Sequence, residues 1–283
     1  MTKDFLDALN ESLGDMSKRQ RAIADYILEH GGRASHETAV NLAADAGVSE
    51  STVVRFAVFM GYEGYPEMQK ALRSSLRKRM TTVERIEDVN QRIPDELILD
   101  GVLEDDAEVI LSTKSELDRQ AFEKAVNMLM NAKKVYIVGM RSSAVLAQFM
   151  NHYLRLILDN VTLVCPSGGS EAYEYLVNIS DEDMVFAISY PRYSSGTIRA
   201  AEFAKRRGAG VVVLTDSNTS PIVPASDVVL AAKSEMVSFV DSLVAPMSVI
   251  NAIIAYIGKK TPGVAEKFRL LENIWGEYKV YSE

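Results

Sequence analysis

The sequence is poor in the residues that build disulfides and metal sites. Its 283 residues include 1 cysteine, 3 histidines and 1 tryptophan. The lone cysteine, Cys165, excludes an internal disulfide and favours a reducing compartment, so we expect a cytoplasmic protein. One cysteine and scattered histidines offer no ligand spacing for a metal. The chain also lacks a Walker-type or dinucleotide-binding glycine loop, and we therefore expect no metal and no other cofactor.

Export signals and membrane spans are missing as well. The first residues, MTKDFLDALN, lack the basic and apolar regions of a signal peptide. The most apolar late stretch, Val237–Gly258, contains Asp241 and Pro246, so we predict a buried helix there and no membrane partner. Apolar residues make up 47% of the chain and charged residues 25%, which is typical of globular proteins. At about 100–200 residues per domain, the length predicts two domains.

Charge is distributed unevenly along the chain. The net charge is −8, but residues 1–80 hold 11 basic and 11 acidic side chains, whereas residues 81–283 hold 20 and 28. Acidity therefore belongs to the second part of the chain. Basic residues cluster in the first part, once at Lys18 and Arg19 and again around Arg73. Such clusters are either solvated helix faces or contacts to a polyanion, and charge alone does not distinguish the two.

The first 80 residues show helical periodicity throughout. Apolar residues recur at the spacing of one helix face in MSKRQRAIADYILEH, and Gly31-Gly32 is predicted to end that helix. Three further helices are predicted, each bounded by glycine, serine or proline: about 37–46, Ser49 to Gly61, and Pro66 to about Lys78.

The segment TAVNLAADAGVSESTVVRFAVFMG, residues 38–61, has the pattern of two helices joined by a tight turn. Ala43 is the small residue where the helices touch, and Gly47 allows the backbone to turn back. Ser49 is predicted to cap the second helix by accepting a backbone N–H with its side-chain oxygen. The pattern therefore predicts a helix-turn-helix.

The start of the second helix carries short polar residues and one arginine, all predicted to face outward: Glu50, Ser51, Thr52 and Arg55. Hydroxyls suit phosphates, and Arg55 suits a guanine edge in the major groove. A hairpin that only packs is the alternative, but it would not need these residues on its exposed face. We therefore predict contact with double-stranded operator DNA through Lys18, Arg19, Ser49, Glu50, Ser51, Thr52, Arg55 and Arg73.

From about residue 115 the pattern changes to helices that alternate with short β-branched runs. Five strands are predicted at Lys134–Gly139, Val161–Cys165, Met184–Ser189, Gly210–Thr215 and Asp227–Ala231. This alternation predicts a parallel sheet with helices on both faces. The predicted fold class is α+β multidomain, with an all-α helix-turn-helix domain (1–80), a helical linker (81–112), a doubly wound α/β domain (113–260) and a helical tail that forms an oligomer contact (261–283).

Two strand-to-helix turns in the second part are rich in serine and arginine. Ligands bind at the carboxyl ends of parallel strands, where helix N-termini, hydroxyls and arginine forks can hold an anion. Helix capping explains any single serine, but two such turns with an arginine each predict an anion site. Its predicted residues are Arg141, Ser142 and Ser143 in the first turn and Ser189, Arg192, Tyr193, Ser194, Ser195 and Thr197 in the second.

Two segments resemble known families. Residues 17–76 resemble the N-terminal domain of RpiR/MurR-type regulators in IADYIL, GVSESTVVRF and MGYEGYPEMQKAL. Residues from about 115 to 260 resemble the SIS (sugar isomerase) domain in KVYIVGMRSS, AISYPRYSSGT and VVVLTD. The resemblance implies a regulator whose DNA affinity is set by a phosphorylated sugar effector. It also implies a homo-oligomer, dimer or tetramer, assembled through the SIS domains.

One loop departs from the pattern of that family. SIS domains often read Ser-x-Ser-Gly-x-Thr here, whereas this chain has an extra Pro-Arg-Tyr between Ser189 and Ser194. The resemblance implies phosphate contacts in this loop, and Arg192 of the inserted segment is a further candidate for one of them.

A sugar-phosphate isomerase is the alternative function, because SIS domains also occur in enzymes. Isomerisation needs a base beside the carbonyl, and ring opening is usually helped by a histidine. His30 and His36 lie in the first part, and His152 lies mid-helix, where it is a surface or core residue. Glu171 is the one glutamate suited to be the base, with helix capping as its other role. We expect no catalytic residues and no enzyme.

A third interpretation is that the protein only mediates interactions, with its first domain binding another protein instead of DNA.

Overall fold

The chain forms two compact units, Met1–Pro94 and Asp95–Glu283. The computed structural model describes residues 4–92, 94–164, 172–235 and 239–281. The first unit consists of helices, and the second contains a five-stranded parallel sheet flanked by helices, as the sequence predicts. Within the described ranges, no helix has both the length and the apolar character that crossing a membrane would need.

The helices of the first unit are α1 (Phe5–Ser12), α2 (Lys18–Ala34), α3 (Ala39–Asp45), α4 (Glu50–Phe59), α5 (Tyr65–Arg79) and α6 (Thr82–Arg92). One apolar core joins α1 to α5, and each of these five helices contributes a fully buried side chain to it: Leu9, Ile27, Leu42, Phe56 and Met68. Burial of these side chains supplies most of the driving force for the unit.

The regular first part of α2 ends beside Gly31 and Gly32, where the sequence predicts the helix to stop. A kink at His30, where φ is −124° and ψ is 33°, separates it from a short helical segment that runs on to Ala34. Helix α5 comes so close here that a Cβ on Gly31 would lie 2.9 Å from the Leu76 Cδ2 atom. The glycine therefore also serves a helix–helix contact, which local sequence does not reveal.

The second unit alternates strands and helices: α7 (Ile98–Glu116), α8 (Arg119–Asn131), β1 (Val135–Gly139), α9 (Ser143–Ile157), β2 (Val161–Val164), α10 (Ala172–Tyr175), β3 (Met184–Ile188), α11 (Ser195–Arg206), β4 (Gly210–Thr215), β5 (Val228–Ala231), α12 (Val244–Lys260) and α13 (Val264–Glu277). The five strands agree with the predicted runs to within one residue. Cys165 of the second predicted strand lies outside the described residues.

The strands lie in the order β2-β1-β3-β4-β5 and all pair in parallel. Val135 and Ile137 of β1 pack against α8, α9 and α12, whereas Tyr136 and Val138 pack against α10 and α11. Burial on both faces explains why the strands are continuously apolar. In this strand order the connections diverge between β1 and β3, and such a switch point creates a crevice at the carboxyl ends of the two strands.

Residues 81–112, predicted as a linker, are divided between the two units. Helix α6 belongs to the first unit. Helix α7 is bonded to the second: Ser242 Oγ donates to Asp106 Oδ1 at 2.6 Å, and the Lys233 amide donates to Thr113 Oγ1 at 2.9 Å. The boundaries at residues 80, 112 and 260 stay predictions.

The late apolar helix is shorter than predicted. It was expected over Val237–Gly258, but α12 begins at Val244, and the described residues 239–243 lie outside it. Pro246 explains the start, because a proline fits the first turn of a helix but breaks its interior. The helical tail contains α13.

Candidate DNA interface and candidate anion site

The turn between α3 and α4 has the geometry that the sequence predicts. Helix α3 ends at Asp45, and Gly47 adopts a left-handed conformation with φ +67°. The Val48 amide then donates to the Ala43 carbonyl at 2.8 Å, which closes the helix end. Ala43 is buried and its small side chain lets α3 approach its neighbours. The two helices therefore form a helix-turn-helix.

Two residues at the start of α4 behave differently from the prediction. Ser49 is the N-cap residue, but its hydroxyl bonds the hydroxyls of Ser51 and Thr52, at 3.0 and 2.8 Å, and accepts no backbone N–H. Thr52 was predicted to face outward, yet only 6% of it is exposed. The reason is helical geometry: Thr52 precedes Phe56 by four residues and so shares its inward face. Thr52 is therefore not an accessible contact residue.

The outward side of α4 consists of Glu50, Ser51, Val54, Arg55, Val58 and Phe59. The Arg55 Nε donates to the Ser51 carbonyl at 3.1 Å, so the guanidinium lies back over the first turn of the helix. Sequence reasoning did not select Val54, which is 41% exposed. Its helical spacing from Glu50 could have identified it.

A polar network fixes α3 between its neighbours. The Glu37 side chain, 9% exposed, lies 2.6 Å from Arg33 Nε, and the Tyr26 hydroxyl lies 3.1 Å from its Oε1. The Glu37 carbonyl accepts from the Tyr65 hydroxyl at 2.7 Å, which links α5. Asp45 at the other end of α3 accepts from Arg33 Nη2 at 2.5 Å. Both ends of the helix are thus bonded to α2 in a polar clamp.

The pKa values of the two tyrosines in this clamp are raised. Burial, together with the hydrogen bond to Glu37, raises the pKa of Tyr26 to about 12. Burial and the charge of Glu37 raise the pKa of Tyr65 to about 12. Both hydroxyls therefore remain protonated donors at neutral pH.

The basic residues predicted to contact DNA differ in whether they also bond other parts of the first unit. Lys18 and Arg19 are exposed in the first turn of α2, which begins with a capping box between Ser17 and Gln20. Arg73 on α5 donates to the Ser35 carbonyl at 3.3 Å and so supports the end of α2. A contact of Arg73 with DNA stays a prediction.

In the second unit, the loop between β1 and α9 (residues 140–142, the first loop) is built by a close approach of helix to strand. A Cβ on Gly139 would lie 2.7 Å from the Ser143 carbonyl oxygen, so only glycine fits there. Arg141 adopts a left-handed conformation with φ +57°, which is unfavourable for a residue with a Cβ. Ser142 is the N-cap residue and is exposed, and its side chain makes no capping bond. Ser143 is buried.

The loop between β3 and α11 (residues 189–194, the second loop) has a matching strained arginine. Arg192 adopts φ +64°. Next to it, the Tyr193 hydroxyl donates to Asp216 Oδ1 at 2.9 Å, which ties the loop to the end of β4. Ser194 is the N-cap residue without a side-chain capping bond, and Ser195 is the first residue of α11 rather than part of the loop.

The structure brings the two loops together. Strands β1 and β3 are neighbours, and the Ser194 Oγ lies 3.6 Å from the Met140 Sδ. A Cβ on Gly196 would lie 2.5 Å from the same sulfur, so glycine is needed for the contact. The predicted residues of both turns therefore belong to one region at the carboxyl edge of the sheet.

Buried hydroxyls without a partner lie in the second loop and in the first turn of α11 that follows it. Ser189 is 2% exposed and Thr197 is fully buried, and neither hydroxyl has a hydrogen-bond partner among the described residues. The buried Tyr190 hydroxyl also lacks one within those ranges. An unmet buried hydroxyl costs free energy. Two of these three groups, Ser189 and Thr197, were predicted from sequence as contacts to an anion.

The two tyrosines of the second loop are held in the neutral form. Burial, followed by the nearby charge of Asp216, raises the pKa of Tyr190 well above its ordinary value. Burial and the same carboxylate also raise the pKa of Tyr193 far above its usual range. Tyr193 therefore acts as a hydrogen-bond donor to Asp216 at any physiological pH.

Comparison with known proteins assigns each unit separately. Residues 3–79 match the model of the helix-turn-helix domain of the rpiR family, and residues 128–256 match that of the SIS domain. The chain is 30% identical over 217 residues to the HTH-type transcriptional regulator HexR of Escherichia coli, an alignment that covers 76% of this chain and 73% of HexR.

Solved structures share the fold. The NanR protein of Vibrio vulnificus, solved in complex with ManNAc-6P, matches with a TM-score of 0.60 at 23% identity and covers 99% of this chain and 100% of its own. The sugar isomerase domain of an RpiR transcription factor from Sphaerobacter thermophilus matches with a TM-score of 0.60 at 29% identity, covering 62% of this chain and 99% of its own.

Proposed function

Because the chain belongs to the rpiR family of helix-turn-helix transcriptional regulators, we propose that a phosphorylated sugar bound at the two loops controls its affinity for operator DNA. The helix-turn-helix implies DNA binding, and the SIS domain is the unit that carries the two loops. We also propose that the two loops supply the residues that bind the phosphorylated sugar and that the protein acts as an oligomer.

One observation carries the effector proposal: the unpartnered Ser189 and Thr197 hydroxyls are buried at the switch point of the sheet, at the two ends of a segment that also contains the strained Arg192. Hydroxyl donors and a guanidinium fork are suited to phosphate oxygens. The unit is net acidic, so attraction for an anion must come from these local donors. ManNAc-6P, which NanR binds, belongs to the same chemical class of ligand.

Capping does not account for the serines of the loops. Ser142 and Ser194 both occupy N-cap positions, yet neither side chain accepts a backbone N–H. The Ser142 hydroxyl is therefore available to a ligand, and the Ser194 hydroxyl, which bonds the weakly accepting Met140 sulfur, can exchange that bond for one to a ligand. The N-termini of both helices also present free N–H groups to anions.

Regulation requires that the effector bind two states of the protein with different affinity. The contact of Met140 with Ser194 and Gly196 couples the first loop to the second. A ligand that spans both loops would favour one arrangement of them. We propose that this arrangement alters the spacing of the paired recognition helices in an oligomer, which must match the spacing of operator half-sites.

The isomerase alternative is less well supported. His152 is exposed in the middle of α9 and packs its ring against Tyr153, away from the two loops. His30 and His36 lie in the first unit. Glu171, the candidate base, lies outside the described residues. HexR, the relative compared above, is named as a transcriptional regulator.

The experiment is a gel shift with full-length protein and an operator selected from random duplexes. We expect affinity to fall steeply with salt, because DNA binding releases counterions, whereas a protein that only contacts other proteins selects no duplex. A panel of sugar phosphates is then added, with each unphosphorylated sugar as the matched control. An effector that changes operator affinity only when phosphorylated supports the proposal.

Thermal shift assays with the same panel locate the site. The wild type is compared with the double variant Ser142→Ala/Ser194→Ala. If the double variant is stabilised as strongly as the wild type, the two loops are not the site. If no phosphorylated sugar stabilises either protein, the sensor proposal is wrong.

A further inference from the structure

The outward side of α4 carries two kinds of side chain in adjacent rows. Ser51 and Arg55 form a polar row that ends at the exposed Phe59, and Glu50, Val54 and Val58 form the row beside it, each residue four positions from the next. Val54 is 41% exposed and Val58 is 56% exposed. Neither belongs to the core of the first unit, which Val53 and Phe56 fill from the opposite side of the helix.

Val54 lies in the half of α4 that reaches bases in a helix-turn-helix. The N-terminal residues of the recognition helix contact base edges in the major groove. Val54 is within one turn of Ser51, whose carbonyl holds the Arg55 side chain at 3.1 Å. Any duplex that Arg55 reaches therefore comes close to Val54. Val58 lies one turn further along, toward the C-terminal end.

A valine in the major groove has one favourable base partner. Phosphates, water and the polar edges of adenine, guanine and cytosine gain nothing from an apolar side chain, whereas thymine presents a C5-methyl group. Burying two apolar groups against each other removes both from water. We infer that Val54 reads a thymine methyl group next to the base that Arg55 contacts, and that it is a specificity-determining residue for the operator. This inference rests on the proposed DNA binding.

The test removes the thymine methyl group on one side of the contact and the two valine methyl groups on the other. An operator is selected from random duplexes with full-length wild-type protein, and each thymine is replaced singly by uracil, which lacks the methyl group but keeps every hydrogen-bonding atom. We expect one thymine in each half-site at which uracil weakens wild-type binding about fourfold, the value of one buried methyl group.

Variants of the two valines identify which of them contacts the thymine methyl group. Val54→Ala should bind the thymine operator about fourfold more weakly and should show no further loss with uracil at that position, because the contact is already gone. Val58→Ala is the matched control, as it makes the same change on the same row outside the base-reading half, and it should retain the full uracil effect. Circular dichroism checks that both variants remain helical, as expected since alanine favours helices.

The outcomes separate this inference from the proposed function. If the wild type selects no duplex, the proposed DNA binding is wrong and the inference falls with it. If the wild type binds but no thymine position responds to uracil, or if Val54→Ala still responds, only the assignment of Val54 is wrong. A uracil effect that disappears in Val58→Ala and persists in Val54→Ala would likewise overturn it.

Discussion

The Tyr193 hydroxyl donates to both oxygens of the buried Asp216 carboxylate, at 2.9 Å from Oδ1 and 3.2 Å from Oδ2. Tyr193 lies in the second loop and Asp216 follows β4, so the pair ties the candidate anion site to the neighbouring strand. Asp216 is 6% exposed, and a buried carboxylate depends on its donors.

Replacing Tyr193 by phenylalanine should destabilise the second unit by about 1–3 kcal/mol, because the carboxylate loses a charge-assisted donor inside the protein. Differential scanning calorimetry of the full-length chain measures the loss. Tyr190→Phe is the control: this tyrosine lies in the same loop and is more deeply buried, but its hydroxyl has no partner within the described residues, so we expect no loss. Equal destabilisation by both variants would contradict this role of Tyr193.

Thr197→Val should separate stability from ligand response. The Thr197 hydroxyl is buried without a partner within the described ranges, so its removal should leave the protein as stable or raise its stability by about 1 kcal/mol. Stabilisation by an effector found in the sugar-phosphate panel should fall, as a donor to the anion is lost. Thr113→Val serves as the control, because its Oγ1 accepts from the Lys233 amide and its loss should destabilise the protein. A Thr197→Val protein that responds fully to the effector would exclude this hydroxyl from the site.

Arg55→Ala should lose about 1–3 kcal/mol of operator binding with the fold intact. The side chain is exposed and its bond to the Ser51 carbonyl lies within one helix, so little packing depends on it. A gel shift with the selected operator measures the change. Arg206→Ala, which removes an exposed arginine from the last turn of α11, should bind as the wild type does. Unchanged affinity in Arg55→Ala would show that another element reads the operator.

Asp227 should make stability depend on pH in the acid range. Burial opposes ionisation of this side chain. Two groups outweigh that effect and hold the pKa of Asp227 below its ordinary value: the Lys205 ammonium, and the Val211 amide, which donates to Oδ2 at 2.9 Å. A lowered folded-state pKa stabilises the protein above the unfolded pKa, and the contribution is lost as pH falls through the folded value. Asp227→Asn should therefore cost about 1 kcal/mol near pH 7, since the pair is partly exposed.

Calorimetry of wild type and Asp227→Asn between about pH 7 and pH 3, which spans the ordinary aspartate range, measures that dependence. The difference in stability between the two proteins should shrink toward the acid end. A difference that stays constant or grows as pH falls would contradict the assignment.

The full-length chain should be at least a dimer. Helix α13 contributes no buried residue within the chain, although Leu270 is 61% exposed and Ile274 is 41% exposed. A two-fold operator also requires paired recognition helices. Sedimentation equilibrium at micromolar concentration measures the mass. Residues 95–283 should also associate, because the second unit carries α13; a monomer in either case would refute this prediction.

Short-range patterns in the sequence were sufficient for the secondary structure and for proposing where the two candidate sites lie. The β-branched runs predicted the five strands because a sheet covered on both faces needs apolar residues at every position. Gly47 predicted the turn of the helix-turn-helix because only glycine adopts its left-handed conformation without strain. The serines and arginines after β1 and β3 marked the carboxyl edge of the sheet. These features depend on residues a few positions apart.

Contacts between distant residues decided the rest. Gly31 lies against Leu76, which is far along the chain, and Thr52 is buried because α4 presents that side to the core. Asp216 was not identified from sequence, since nothing near it in the chain indicates that Tyr193 will donate to it. Local propensity determines which segments become helices and strands. Which groups end up buried, paired or unpaired depends on tertiary packing, and that packing determined the candidate sites.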